Sequence, residues 1–458
     1  MNMVKKRILL LIYLILSFSS SFVLISANSE PYSYLVVDTG QTNCYDVNTK
    51  IYLNEGDQFF GQDANYEGKT PNYLNNGDGT ISDLNTGLMW QQDPGEKKTW
   101  EQAVGEAGNC SIAGYNDWRL PNIKELYSLI LFSGLDVSGF EQTKTLVPFI
   151  DTDYFDFEYG DISAGERLID SQYISSTKYV GLTMWGDETV FGVNFADGRI
   201  KGYGLTDPMT AEDKKLYVLY VRGNSEYGIN NFIDNGNGTI SDHATGLMWS
   251  KEDSGEGMDW VETLTWVQEK KNENYLGFDD WRLPNAKELQ SIVDYTRSPS
   301  TNSSAAIDPV FNTSAIIDED GENNYPFYWA STTHASVNEE HSGNFAVYIA
   351  FGEALGFMES PPGSGNYQLL DVHGAGAQRS DPKIGDPTDF PYGHGPQGDV
   401  VRIYNYIRLV RGGNPRIVIT EPPTLGSEVI LKCVIFCICI AIAGIAVIHT
   451  YPKIRRIN

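Results

Sequence analysis

The chain is poor in the residue types from which most catalytic and metal sites are made. Of its 458 residues, five are cysteine and six are histidine. Cys433, Cys437 and Cys439 fall in an apolar run near the C-terminus, which leaves only Cys44 and Cys110 elsewhere. The first histidine is His243. A thiol-based oxidase would need reactive cysteines late in each repeat, where neither has one, and a histidine-based hydrolase has no material in the first half of the chain. No nucleophile elbow occurs. Positive charge is scarce too: 33 Lys and Arg stand against 60 Asp and Glu, a formal net charge of −27. Without the bases at the two ends the ratio is 26 to 60, and no Lys/Arg run exceeds two. Nucleic acid and anionic membranes are poor partners for such a surface. Sulfated polysaccharides would need a basic patch. Cations, neutral glycans and protein surfaces fit better, and the charge also serves solubility.

What the chain does have is a repeat. NGDGTISDLNTGLMW at 76–90 returns as NGNGTISDHATGLMW at 235–249, and DWRLPNIKEL at 117–126 as DWRLPNAKEL at 280–289. YISSTKY (173–179) matches YWASTTH (328–334), and YVLYVRG (217–223) matches YIRLVRG (406–412). Copy one is read as 72–223 and copy two as 231–413, after a lead-in at 28–71. A period near 160 residues is domain-sized, and each copy is expected to bury its own core.

The ends carry targeting patterns. Lys5, Lys6 and Arg7 precede an apolar stretch, with Ala27 as the cleavage point, so 1–27 reads as a signal peptide. Residues 414–428 read as a stalk and 429–448 as an apolar transmembrane helix, with 449–458 as a basic cytoplasmic tail. The expectation is a single-pass type I membrane protein exposed at the cell surface. An oxidising exterior predicts a Cys44–Cys110 disulfide tying the lead-in to copy one.

Within each copy, Asn76-Gly77 and Asn235-Gly236 mark a tight hairpin turn. A calcium-loop reading fails on spacing, because twelve positions from Asn76 end at Gly87 and not at a glutamate. Trp90 and Trp249 are read as core. Thr99 and Asp259 have capping-box spacing to Gln102 and Glu262, and helices follow. Asn122 opens a second helix, with Ile123, Leu126, Tyr127 and Ile130 as its buried stripe; Ala286, Leu289, Ile292 and Val293 repeat it. Arg119 and Arg282 are read as partners of nearby carboxylates or carbonyls, and Arg282 is kept as a ligand candidate. Short strands fill the second half of each copy, which makes the expected class α+β.

The ordered set NGDGTISD, TGLMW, DWRLPN-x-KEL, S(S/T)T and VRG resembles the family typified by the C-terminal domain of the Legionella collagen-like adhesin. The resemblance covers most of 36–413. It implies a fold similar to C-type-lectin-like and formylglycine-generating-enzyme-like modules, two in tandem, and a role in attachment through sulfated glycans. This chain has no collagen-like region, and its acidity argues against a sulfated ligand.

The functional expectation is an adhesion protein presenting two lectin-like modules to an extracellular glycan or protein, without catalysis. A structural envelope protein, or an enzyme using a site in copy two, are the alternatives. Copy two has the longer loops, at 296–325 and 358–400, and is expected to carry the contact, with copy one a spacer beside the lead-in. Ligand candidates are Tyr325, Tyr367, Asp371 and Arg282. His373, His394, Asp371 and Asp399 are the candidate metal ligands, with a divalent cation as the cofactor.

Overall fold

The computed structural model describes residues 32–420, apart from 141, 142, 144, 208, 209 and 414. The expected signal peptide at 1–27 and the apolar run at 429–448 lie outside the described residues. Among the described residues no helix is long and apolar enough to cross a membrane, so the single-pass membrane placement is withdrawn.

The α+β expectation with a terminal membrane helix is likewise corrected: the fold is mainly β. Copy one contains β1 (Tyr73–Asn75), β2 (Thr80–Asp83), β3 (Leu88–Gln91), α1 (Trp100–Ala107), α2 (Ile123–Ser128), β4 (Gln172–Lys178), β5 (Thr189–Asn194), β6 (Arg199–Gly204) and β7 (Val221–Gly223). Copy two contains β8 (Phe232–Asp234), β9 (Thr239–Asp242), β10 (Leu247–Ser250), α3 (Trp260–Asn272), α4 (Ala286–Ser291), β11 (Phe327–Thr333), β12 (Phe345–Ala350), β13 (Leu355–Glu359), β14 (Tyr367–Asp371), β15 (Gln378–Pro382) and β16 (Val410–Gly412). Capping boxes form at Thr99 and Asp259 as read, and also at Asn122 and Asn285. The second helix of each copy is short. α2 and α4 run six residues each, and Ile130, Ile292 and Val293 lie beyond their ends in irregular chain. Apolar spacing set the buried face without setting the helix length, because the same residues are buried after the helix stops.

Each copy has a four-stranded antiparallel sheet, in the order β7-β3-β2-β1 and β16-β10-β9-β8. Val221 opposite Trp90 and Val410 opposite Trp249 set the register, and both tryptophans are fully buried. The third sheet joins the copies. Its order is β4-β5-β6-β15-β12-β11, three strands from each copy, with Ile200 of β6 opposite Gln378 of β15 at the seam. One apolar core runs through the junction and includes Trp90, Tyr127 and Phe191 from copy one with Trp249, Leu289 and Ile349 from copy two. The two copies are therefore halves of one body, with a smaller private core in each.

The lead-in docks on copy two as well as on copy one, and the segment around Cys44 sits on copy two. Asn48 O accepts from Gly343 N at 2.7 Å, and Asp46 O from Lys383 Nζ at 2.9 Å. Residues 416–417 pair with 66–67, which closes the ring of chain around copy two. Cys44 is buried with Leu53, Phe60 and Ala64, whereas Cys110 packs at the edge of the private core of copy one. Both thiols are free, so the predicted disulfide is absent.

Candidate functional site

The repeated motif residues are tied up in the scaffold. In NGDGT and NGNGT, Asn76 Nδ2 donates to Thr80 and Ser82 hydroxyls at 2.9 Å, and Asn235 does the same to Thr239 and Ser241. Asp117 takes a two-pronged bond from Arg222 at 2.6 and 3.1 Å, and Asp280 takes the same from Arg411. Arg119 pairs with Glu125 at 2.6 Å, and Arg282 with Glu288 at 2.5 Å. A bulge in β4 and another in β11 bring Thr177 and Thr332 to the starts of α2 and α4. Their hydroxyls accept from Ile123 N and Ala286 N, each at 3.0 Å, which satisfies an otherwise unpaired helix donor.

The motif lysines do something the sequence did not suggest. Lys124 of copy one donates to Ser291 O of copy two at 2.7 Å, and Lys287 of copy two donates to Ser128 O of copy one at 2.8 Å. Each amine thus caps the final turn of the other copy's helix. The exchange is reciprocal, as in a two-fold symmetric dimer. Burial pushes both ammonium groups down to about 8.

The sequence-predicted ligand residues scatter. Arg282 is buried under its pair with Glu288, and its edge lines an open cleft of about 530 Å³ with Glu55, Tyr66, Lys271 and Asp279. Tyr325 is half-buried, donates to Ser303 O at 3.1 Å, and accepts Arg402 on its carbonyl at 3.3 Å. Asp371 accepts from Tyr179 Oη of copy one at 2.7 Å and from Gly374 N at 2.8 Å. Burial pushes its carboxyl up to about 7. The segment 361–398 is therefore not independent of copy one. Asp371 O also accepts from Met184 N, and His373 O from Gly202 N.

The four candidate metal ligands do not converge. His373 Nε2 lies 2.9 Å from Asp399 Oδ1, and Asp399 is closed on its other side by Arg379. Burial pushes the His373 imidazole down to about 4. His394 meets Asp399 only through the main chain at 2.8 Å, and its ring lies beside Phe345. Asp371 is engaged by Tyr179. Among the described residues no group of three or more His, Cys, Asp or Glu is placed to hold a metal ion, and the divalent-cation expectation is dropped.

Tyr367 is the one predicted contact that the fold presents outward. It stands on β14, in the segment that copy two has and copy one lacks, and its ring stacks on Tyr392 with centroids 4.1 Å apart and planes 18° apart. Phe357 of β13 braces Tyr392 edge-on at 6.2 Å. Tyr367 is 41% and Tyr392 54% exposed, which is high for paired aromatic rings. The turn of copy one that abuts Asp371 adds Trp185, 51% exposed, toward the foot of the same hairpin. Tyr392 and Trp185 were not read from the sequence. Tyr392 lies in a Gly/Pro-rich stretch, and only the hairpin fold brings it to Tyr367.

The model of the Lcl C-terminal domain family matches residues 79–222 and again 238–367. No curated protein and no solved structure matches the chain. The two matches cover more than half of the chain and fall on the two halves of the pseudo-symmetric body, so the chain belongs to the Lcl C-terminal domain family and carries its domain twice.

Proposed function

We propose that this chain is an adhesin-like binding protein that recognises a neutral carbohydrate on the aromatic face of the copy-two insertion. The carrying observation is the exposed Tyr367–Tyr392 stack. Aromatic rings offer flat apolar faces with polar rims, which suits the C–H faces and hydroxyls of a sugar ring. The net charge of −27 favours an uncharged glycan over a polyanion. Two features of the scaffold support binding over catalysis. The repeated polar residues are engaged in holding the fold, and the His373–Asp399–Arg379 group is sealed in the interior. A glycan array followed by titration tests this. Tyr367→Ala and Tyr392→Ala should each weaken a neutral-glycan hit about tenfold, equivalent to ~1.4 kcal/mol, with the fold intact. Unchanged affinity in both variants, or an array answered only by sulfated glycans, refutes it. An array with no hit favours a purely structural role.

A further inference from the structure

The two copies form equivalent grooves on either side of their junction, and the described chain fills only one. On the copy-two side, Asn285–Lys287 and Thr332 form one wall and residues 129–132 of copy one form the other. The lead-in runs through it without forming a strand and bends at Gly40, φ +72°. Phe132 N donates to Thr39 O at 2.7 Å, and Gln41 bonds Thr333 O and Thr333 N at 2.7 and 2.8 Å. The Asp63 carboxyl then accepts from Thr332 Oγ1 at 2.5 Å and from Thr39 Oγ1 at 2.8 Å. Ser331, Thr332 and Thr333 are all buried as a result.

On the copy-one side the same walls recur. Asn122–Lys124 and Thr177 line a groove of about 410 Å³ with Ile292–Thr296. The linker supplies a counterpart of the lead-in only in part: Gly228 O accepts Lys124 at 3.2 Å, as Asp38 O accepts Lys287 at 2.9 Å. It then turns away into β8, so Ser176 and Lys178 stay exposed and Thr177 partly so. The walls differ in one respect. Where the filled groove has Leu131 and Phe132, the open one has Asp294 and Tyr295, and Asp308 adds a second carboxylate.

We propose that the open groove is a docking site for a linear peptide segment of a partner protein. The segment crosses Thr177 as the lead-in crosses Thr332, and sets a basic side chain against Asp294 and Asp308. Main-chain hydrogen bonds would supply affinity, and the carboxylates the choice of side chain. The site is separate from the Tyr367–Tyr392 face and stands without it.

The probe is a fluorescent peptide of residues 36–42 with Asp38→Asn and Gln41→Lys, compared with one carrying Gln41→Glu, in anisotropy titrations against the full chain. The lysine peptide should bind at least tenfold tighter and weaken with added salt. In the protein, Asp294→Asn should lower its affinity several-fold, and Thr296→Trp at the rim should abolish binding, both with unchanged circular dichroism. Equal affinity for the two peptides, no saturable binding of either, or binding indifferent to Thr296→Trp overturns the proposal. Because neither variant touches the aromatic face, failure here leaves glycan binding to be judged by its own titration.

Discussion

Replacing Arg282 by alanine should destabilise the protein far more than replacing its repeat counterpart Arg119, although both sit at the same place in the motif. The Arg282 side chain is 6% exposed and its partner Glu288 9%. The guanidinium makes two bonds to Glu288, at 2.5 and 2.6 Å, and a third to Gly412 O at 3.3 Å. Truncation leaves a buried carboxylate with the main-chain donor Asn285 N, a change that costs ~3–5 kcal/mol. Glu125 is itself only 2% exposed, but Arg119 is 33% exposed, so its removal opens the carboxylate to water and should cost roughly 1–2 kcal/mol. For a cooperative body of this size these correspond to falls in Tm of about 5 °C and about 2 °C. Differential scanning calorimetry reads both. The paired variant Arg282→Met with Glu288→Leu should recover most of the loss, because it removes the stranded charge. Equal, small effects of Arg282→Ala and Arg119→Ala would refute the reasoning. Loss of ligand binding at unchanged Tm would make Arg282 a recognition residue instead.

Asp63 is buried with two hydroxyl donors, and burial pushes its carboxyl up to about 7. A folded pKa above the unfolded value means stability that is full below about pH 4 and lost as pH rises through 7, at most ~4 kcal/mol. Asp63→Asn should therefore flatten the rise of Tm on acidification across pH 7 to 4; an unchanged slope counts against it. Cys110, partly exposed, should react with a thiol reagent in the native protein, and Cys44, whose thiol burial pushes up to about 11, only on unfolding. Recovery of a Cys44–Cys110 crosslinked peptide would contradict this.

Local features were legible in the sequence. The four capping boxes, the buried Trp90 and Trp249, the Asn-Gly turns and the Arg119 and Arg282 ion pairs all follow from residue type and spacing. Non-local pairing was not. Nothing in Arg199–Gly204 or Gln378–Pro382 announces that these strands meet, because a strand's pattern sets which face is buried and not which strand lies beside it. The same gap hid the lead-in's docking on copy two and turned Asp371, His373, His394 and Asp399, neighbours in sequence, into a metal site that the hairpin takes apart. Lys124 and Lys287 were in view within KEL. Their role across the junction needs both copies in place.

The central claim is that the two copies form one body locked by reciprocal lysines, and hydrogen exchange in mild denaturant tests it most directly. Peptides covering 123–130 and 286–293 should lose protection together, at one free energy. Lys287→Met should lower protection in both, because it strips Ser128 O of its partner across the junction. Exchange of the two peptides at separate free energies, with copy one unaffected by Lys287→Met, would show two independent modules and contradict the account.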